Sequence, residues 1–280
     1  MASPQPDLRI GTSGYQYDHW RGVFYPEDLP KSRWFAHYAQ HFDTVEINNT
    51  FYGLPKPSAF DHWREQASQA SHAPQASHAP QASHAPQASH APQASHAPQA
   101  SHAPPGFLYV LKFSSYGSHR KKLLNPQQSI GLFLDRDRRL GPFLGPILLQ
   151  LPPHWKANPD RLDAFLSASP PEQRWAVEFR DPSWLCEAVY AVLRKHAAAL
   201  CIHDLIENHP YVITADWIYL RYHGGPDDGN YRPQYLAAQA RRIREHLRRG
   251  LDVFAYFNND IHGYAVANAR DLRRGVFAAR

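Results

Sequence analysis

Residues 146–180 read PILLQLPPHWKANPDRLDAFLSASPPEQRWAVEFR. Residues 147–151 are a near-continuous apolar run, the form a strand takes when both of its faces are covered. Asn158 then suits a helix N-cap and Pro159 the first helical position, with Leu162, Phe165 and Leu166 spaced as one inward stripe. Residues 175–179 form a second apolar run. Strand, helix and strand in this order make a parallel crossover unit.

The same alternation extends to both sides. Strands are expected at 8–12, 45–51, 107–113, 147–151, 175–179, 200–203, 217–222 and 253–257. Helical segments fall between them, including 56–66. Asp181-Pro182 repeats the capping device ahead of Leu185, Val189 and Val192. Pro233 opens another helix with Leu236, Ala240, Ile243 and Leu247 inward and Gly250 at its end. Eight such units predict an α/β fold, a single (β/α)8 TIM barrel over 7–277. The weak link is 204–215, too short and too polar for a full crossover helix, so an open doubly wound sheet is the alternative.

Residues 69–104 are six perfect copies of Gln-Ala-Ser-His-Ala-Pro, 36 of the 280 residues. Alanine is the repeat's only apolar residue, and proline at every sixth position interrupts both helix and ladder. It cannot bury enough surface to offset chain entropy, so it reads as a disordered low-complexity insert between the second helix and the third strand. A barrel places such a helix-to-strand connection on the face opposite its chemistry. The six repeat histidines lack a scaffold to fix ligand geometry, which disfavours metal capture.

The other 244 residues match the ~250 of one barrel. A hydrophobic fraction of 43% with 13% aromatic residues indicates a real core. Cys186 and Cys201 alone exclude a disulfide-stapled fold. No apolar run approaches the ~20 residues of a membrane span, and residues 1–7 carry no signal pattern, so a cytoplasmic protein is expected. Thirty Lys+Arg against 25 Asp+Glu give +5 and a pI near 9.2, a balance compatible with anionic partners.

Polar residues recur in or just after the strand ends: Glu46 and Asn48, Lys112, Gln150, Glu178 and Arg180, His203 and Asp204, Arg221 and His223, Asn258 and Asn259. A parallel barrel aims such residues at one cavity above its core. Any one of them could be a buried ion pair; seven strand ends behaving alike point to a site. Glu46, Glu178, Asp204, His119 and His223 are the candidates for acid–base work. Lys112, Arg180 and Arg221 suit phosphate or carboxylate, with Asn48, Gln150 and Asn258 as polar contacts. Lys112 could form a Schiff base if its pKa were depressed, although an electrostatic role is favoured. Tyr15 and Trp20, in the aromatic loop after the first strand, are candidate walls for a flat ligand. No His-Glu-x-x-His, Cys-x-x-Cys, dinucleotide fingerprint or P-loop is present, so no cofactor is expected and a divalent metal is disfavoured.

Seven ordered blocks carry a resemblance: GTSGYQYDHWRGVFYP, TVEINNTFYGLP, FLYVLKFS followed by His119, PILLQLPP, WAVEFRDPSW, YLRYHG and FAYFNNDIHGYAVANA. In order, they resemble the signature blocks of domain-of-unknown-function family 72, the YecE-like proteins. That resemblance implies a TIM barrel. Its polar motif positions fall on Glu46, Asn48, Lys112, His119, Gln150, Glu178, Arg180, Asp204, Arg221, His223 and Asn258. Ser118, where the pattern has threonine, and the enlarged repeat connection are the departures. The leading expectation is an enzyme (hydrolase, lyase or isomerase) acting on an anionic, phosphorylated or nucleotide-like small molecule. Glu178 or Glu46 would be its acid–base group, with Arg180, Arg221 and Lys112 holding the anion. A nucleic-acid-binding protein or phosphodiesterase, and a non-catalytic ligand sensor, are the competing classes.

Overall fold

The computed structural model describes residues 5–72 and 106–278. Eight strands follow one another as β1 (Leu8–Thr12), β2 (Thr44–Ile47), β3 (Leu108–Lys112), β4 (Leu144–Gln150), β5 (Trp175–Glu178), β6 (Ala199–His203), β7 (Trp217–Tyr222) and β8 (Asp252–Phe257). All the ladders are parallel, in the order β1-β8-β7-β6-β5-β4-β3-β2. A parallel bridge between Ser13 and Glu46, with Gly14 N donating to Glu46 O at 2.8 Å, brings β1 and β2 together and nearly closes the ring. The result is a (β/α)8 TIM barrel. Closure sets a steric condition at Gly11, where a Cβ would stand 2.4 Å from the Thr44 carbonyl oxygen of β2.

The helices are α1 (Trp34–Ala39), the single turn α2 (Asn49–Tyr52), α3 (Pro57–His72), α4 (Pro126–Asp137), α5 (Pro159–Ser167), α6 (Glu187–Lys195), α7 (Pro233–Arg248) and α8 (Tyr264–Phe277). Asn158 caps α5 as its side chain accepts from Arg161 N at 3.0 Å, and Leu162, Phe165 and Leu166 are buried beneath it. Two local expectations need correction. The second strand stops at Ile47 rather than 51, because Asn49–Tyr52 turn into α2 and carry Phe51 over the barrel mouth. Asp181 caps only the 3-10 turn Pro182–Trp184, and α6 starts at Glu187. No helix lies between β6 and β7, as the polarity of 204–215 foretold.

Alternate strand residues fill the barrel. Leu108 and Val110, Ala176, Ala199 and Cys201, Trp217 and Tyr219, and Phe254 and Tyr256 form one buried cluster. The opposite strand faces join the helices in a second core that includes Phe113, Phe133, Phe165 and Trp175. Period two along each strand therefore takes the inward series from apolar below to ionisable above: Val110 to Lys112, Ala176 to Glu178, Tyr219 to Arg221. The repeat begins inside α3, and residues 73–104 of it lie outside the described residues. The flanks of residues 73–105 do meet: a Cβ on Gly106 would stand 3.0 Å from the Ser71 Cα. No described helix is long and apolar enough to cross a membrane.

Candidate functional site

Arg221, at the end of β7, is the hub of the barrel mouth. Its Nη2 donates to Glu46 Oε1 at 2.7 Å and its Nη1 to Glu178 Oε2 at 2.6 Å, with all three side chains at most 1% exposed. Ser13 Oγ also donates to Glu46 Oε1, and Tyr219 OH to Glu46 Oε2 at 2.6 Å. Burial by itself would raise both carboxyl groups. The Arg221 guanidinium leads the forces that outweigh it, so Glu46 is held below the ordinary carboxylate range and Glu178 well below. Both carboxylates are thus fixed anions sharing the Arg221 guanidinium.

Arg180, two residues beyond Glu178 on the same side, donates from Nε to Glu178 Oε1 and from Nη2 to Gln150 Oε1 at 3.4 Å. Its side chain is 25% exposed. Lys112 has no carboxylate within ion-pair distance among the described residues; instead its Nζ lies 4.0 Å from the centre of the Phe51 ring. Burial, then the charge of Arg221, push its ammonium down to about 8. Two carboxylates against three cations leave a positive mouth.

His119 sits on the π-helical turn Tyr116–Arg120, its ring edge-on to Phe51 at 4.9 Å. Ser118 Oγ donates to Ser114 O at 2.9 Å and lies 3.0 Å from His119 Nδ1. When the hydroxyl proton serves Ser114, Nδ1 donates to Ser118 Oγ, and the neutral ring in that tautomer presents a bare Nε2. Burial, then Lys112 and Arg180, lower its pKa. His223 Nε2 lies 3.4 Å from Arg221 Nη1 and 3.8 Å from Glu178 Oε2, and its Nδ1 lies 3.2 Å from Asn258 Nδ2. Asn48 Nδ2 donates to Ser13 Oγ at 2.8 Å, while its buried Oδ1 has no hydrogen-bond partner among the described residues.

The structure therefore gathers Glu46, Glu178, Lys112, Arg180, Arg221, Gln150, Asn48, His119, His223 and Asn258 at one end of the barrel. Asp204 stands apart: it is exposed, with Oδ1 accepting from His223 N at 2.9 Å and Oδ2 from the Tyr231 hydroxyl. Tyr15 and Trp20 are buried in the loop after β1, Trp20 donating from Nε1 to Asp260 O at 2.9 Å. The rings nearer the mouth are Tyr17, half-buried, and Phe51 and Tyr52. Sequence reasoning missed Ser13 and Tyr219 as partners of Glu46. Their signal was period two, since Ser13 follows Gly11 and Tyr219 precedes Arg221 on the inward faces. Among the described residues no three His, Cys, Asp or Glu side chains converge as a metal would require.

The family described as "Protein of unknown function DUF72" matches residues 9–73 and 90–279. The chain belongs to this family. The DUF72 chain is also similar to UPF0759 protein YecE of Escherichia coli (strain K12), 29% identical over 153 residues. That match spans 54% of this chain and 42% of the relative. Two solved DUF72 family proteins share the fold. The one from Thermotoga maritima MSB8 has a TM-score of 0.72 at 23% identity, covering 96% of this chain and 98% of that one. The one from Enterococcus faecalis V583 has a TM-score of 0.70 at 16% identity, covering 98% and 96%.

Proposed function

We propose that this DUF72 chain is an enzyme acting on a small anionic molecule, phosphorylated or carboxylated, by acid–base chemistry at the C-terminal face of the barrel. The observation that carries this reading is the charge balance of the mouth. Glu46 and Glu178 share Arg221, and Glu178 also pairs with part-exposed Arg180, so carboxylate-free Lys112 is left as the uncompensated cation. Lys112 together with part-exposed Arg180 attracts an anion, and the arginine fork suits phosphate or carboxylate oxygens. Carboxylates held ionised beneath a guanidinium are poor proton donors, so the acid–base role passes from Glu46 and Glu178 to His119 and His223. The bare Nε2 of His119 serves as base, and Asn48 Oδ1 accepts from a substrate hydroxyl.

The test is thermal stabilisation by a panel of phosphorylated and carboxylated metabolites, run on the native chain and on Arg180→Ala. Stabilisation of the native chain that Arg180→Ala abolishes is the expected result. A panel that stabilises neither protein, or both equally, removes the anion-site reading.

A further inference from the structure

Lys112 is the only buried lysine among the described residues; Lys121 and Lys122 also lie over rings, but neither is buried. Lys31, Lys156 and Lys195 are 62%, 80% and 59% exposed at the side chain, and each pairs with an aspartate. Lys112 ends a barrel strand, is 8% exposed, and faces the Phe51 ring instead of a carboxylate. A carboxylate would hold the amine protonated and pinned. An aromatic face stabilises positive charge on nitrogen without accepting its protons, so it favours an ammonium and an iminium alike. His119 packs edge-on against the same ring, near enough for the Lys112 charge to help lower its pKa.

We propose that Lys112 is a catalytic nucleophile that forms a Schiff base with an aldehyde or ketone bearing a phosphate or carboxylate. The inference rests on the anion-site reading above and names the substrate's reacting group. The ammonium of Lys112 first gives one proton to His119 Nε2. The freed lone pair attacks the carbonyl carbon, forming the C–N bond and moving the C=O π pair onto oxygen. A second proton passes from nitrogen to that oxygen, giving a carbinolamine. His119 then returns its proton as the C–O bond breaks, water leaves, and the nitrogen lone pair closes the C=N bond. One proton stays on nitrogen as an iminium against Phe51; nothing is oxidised or reduced. The lowered basicity of Lys112 supports this role, because it raises the share of free amine at neutral pH. The charges around the amine are Arg221, Glu46, Glu178 and Arg180, and the two arginines favour its neutral form.

The experiment incubates the full chain at pH 7 with sodium cyanoborohydride and one of three ketones: dihydroxyacetone phosphate, pyruvate or uncharged dihydroxyacetone. Peptide mass spectrometry then locates the reduced adducts. Lys112 is expected to be labelled at least about tenfold faster than Lys31, Lys122 or Lys156, as a basicity lowered by burial and Arg221 requires. Labelling by one or both anionic ketones should exceed that by dihydroxyacetone and fall about tenfold in Arg180→Ala. The preferred anionic ketone identifies the anion as phosphate or carboxylate. Lys112→Arg, which keeps the cation on Phe51, should fold with an unchanged melting temperature and lose the adduct. Labelling spread evenly over the lysines overturns the proposal. Anion-dependent thermal stabilisation without Lys112 labelling also overturns it, while leaving the anion site standing. Equal labelling by all three ketones, unaffected by Arg180→Ala, removes the anionic substrate class instead.

Discussion

Arg221 and Glu178 are joined at 2.6 Å with neither side chain more than 1% exposed, across 43 residues of sequence. The same guanidinium also holds Glu46, and Arg180 supplies Glu178 with a second, part-exposed counter-charge. Arg221→Met should therefore cost about 3–5 kcal/mol, the usual cost of stranding buried charge. Arg180→Ala should cost less, because its own side chain is 25% exposed and Glu178 keeps Arg221. Urea unfolding of the two variants checks the contrast. Equal losses would mean that Arg180 carries as much of the pairing as Arg221.

His203 is neutral and locked as one tautomer. Its Nε2 donates to Phe179 O at 2.8 Å while its Nδ1 accepts from Leu205 N at 3.2 Å. Burial leads the causes that push its pKa from 6.5 down to about 4, since protonation would set two donors face to face. A folded value below the unfolded one means this contribution is complete above pH 6.5. It is lost as pH falls toward 4. The native chain should thus lose more stability between pH 7 and pH 4.5 than His203→Gln does. Imidazole NMR should show His203 uncharged at pH 5.5; a midpoint near 6.5 would sink the assignment.

Gly11→Ala places a methyl 2.4 Å from the Thr44 carbonyl oxygen, at the seam where β1 meets β2. Backbone on both sides cannot yield as a flexible side chain would. Overpacking of this kind costs about 1–3 kcal/mol. A thermal melt within 1 °C of the native chain, about 0.3–0.5 kcal/mol for a barrel of this size, would show that the seam relaxes freely.

Deletion of residues 73–105, replaced by two or three glycines, should leave folding intact. The flanks already touch at Ser71 and Gly106, so no span has to be bridged. Shortening the connection also lowers the entropy of closing it, by a small amount given the logarithmic dependence on length. Circular dichroism and the melting temperature report the outcome; insoluble protein, or a fall of more than about 5 °C, would make the repeat structural.

The strands, the helices of the quoted crossover unit and the inward polar series were legible because they are local. Apolar runs, an Asn-Pro cap and period two along a chain depend only on near neighbours, so Glu178 and Arg180 could be assigned to one side from spacing alone. Family resemblance and strand ends likewise converged on Lys112, Arg221 and their neighbours. The partners of those residues were not legible. Arg221 reaches Glu46 over 175 residues and Ser13 over 208, distances that only barrel closure abolishes. Closure also decided that both carboxylates serve one guanidinium, that Tyr219 completes the shell of Glu46, and that Asp204 is spent on His223 N and Tyr231. The early end of β2 had the same origin: Thr50 Oγ1 donates to Lys112 O at 2.7 Å, a contact on β3 that helps anchor α2. Sequence determined which charges face the mouth. Tertiary structure alone decided which of them cancel, because pairing is set by distances between strands that the chain keeps far apart.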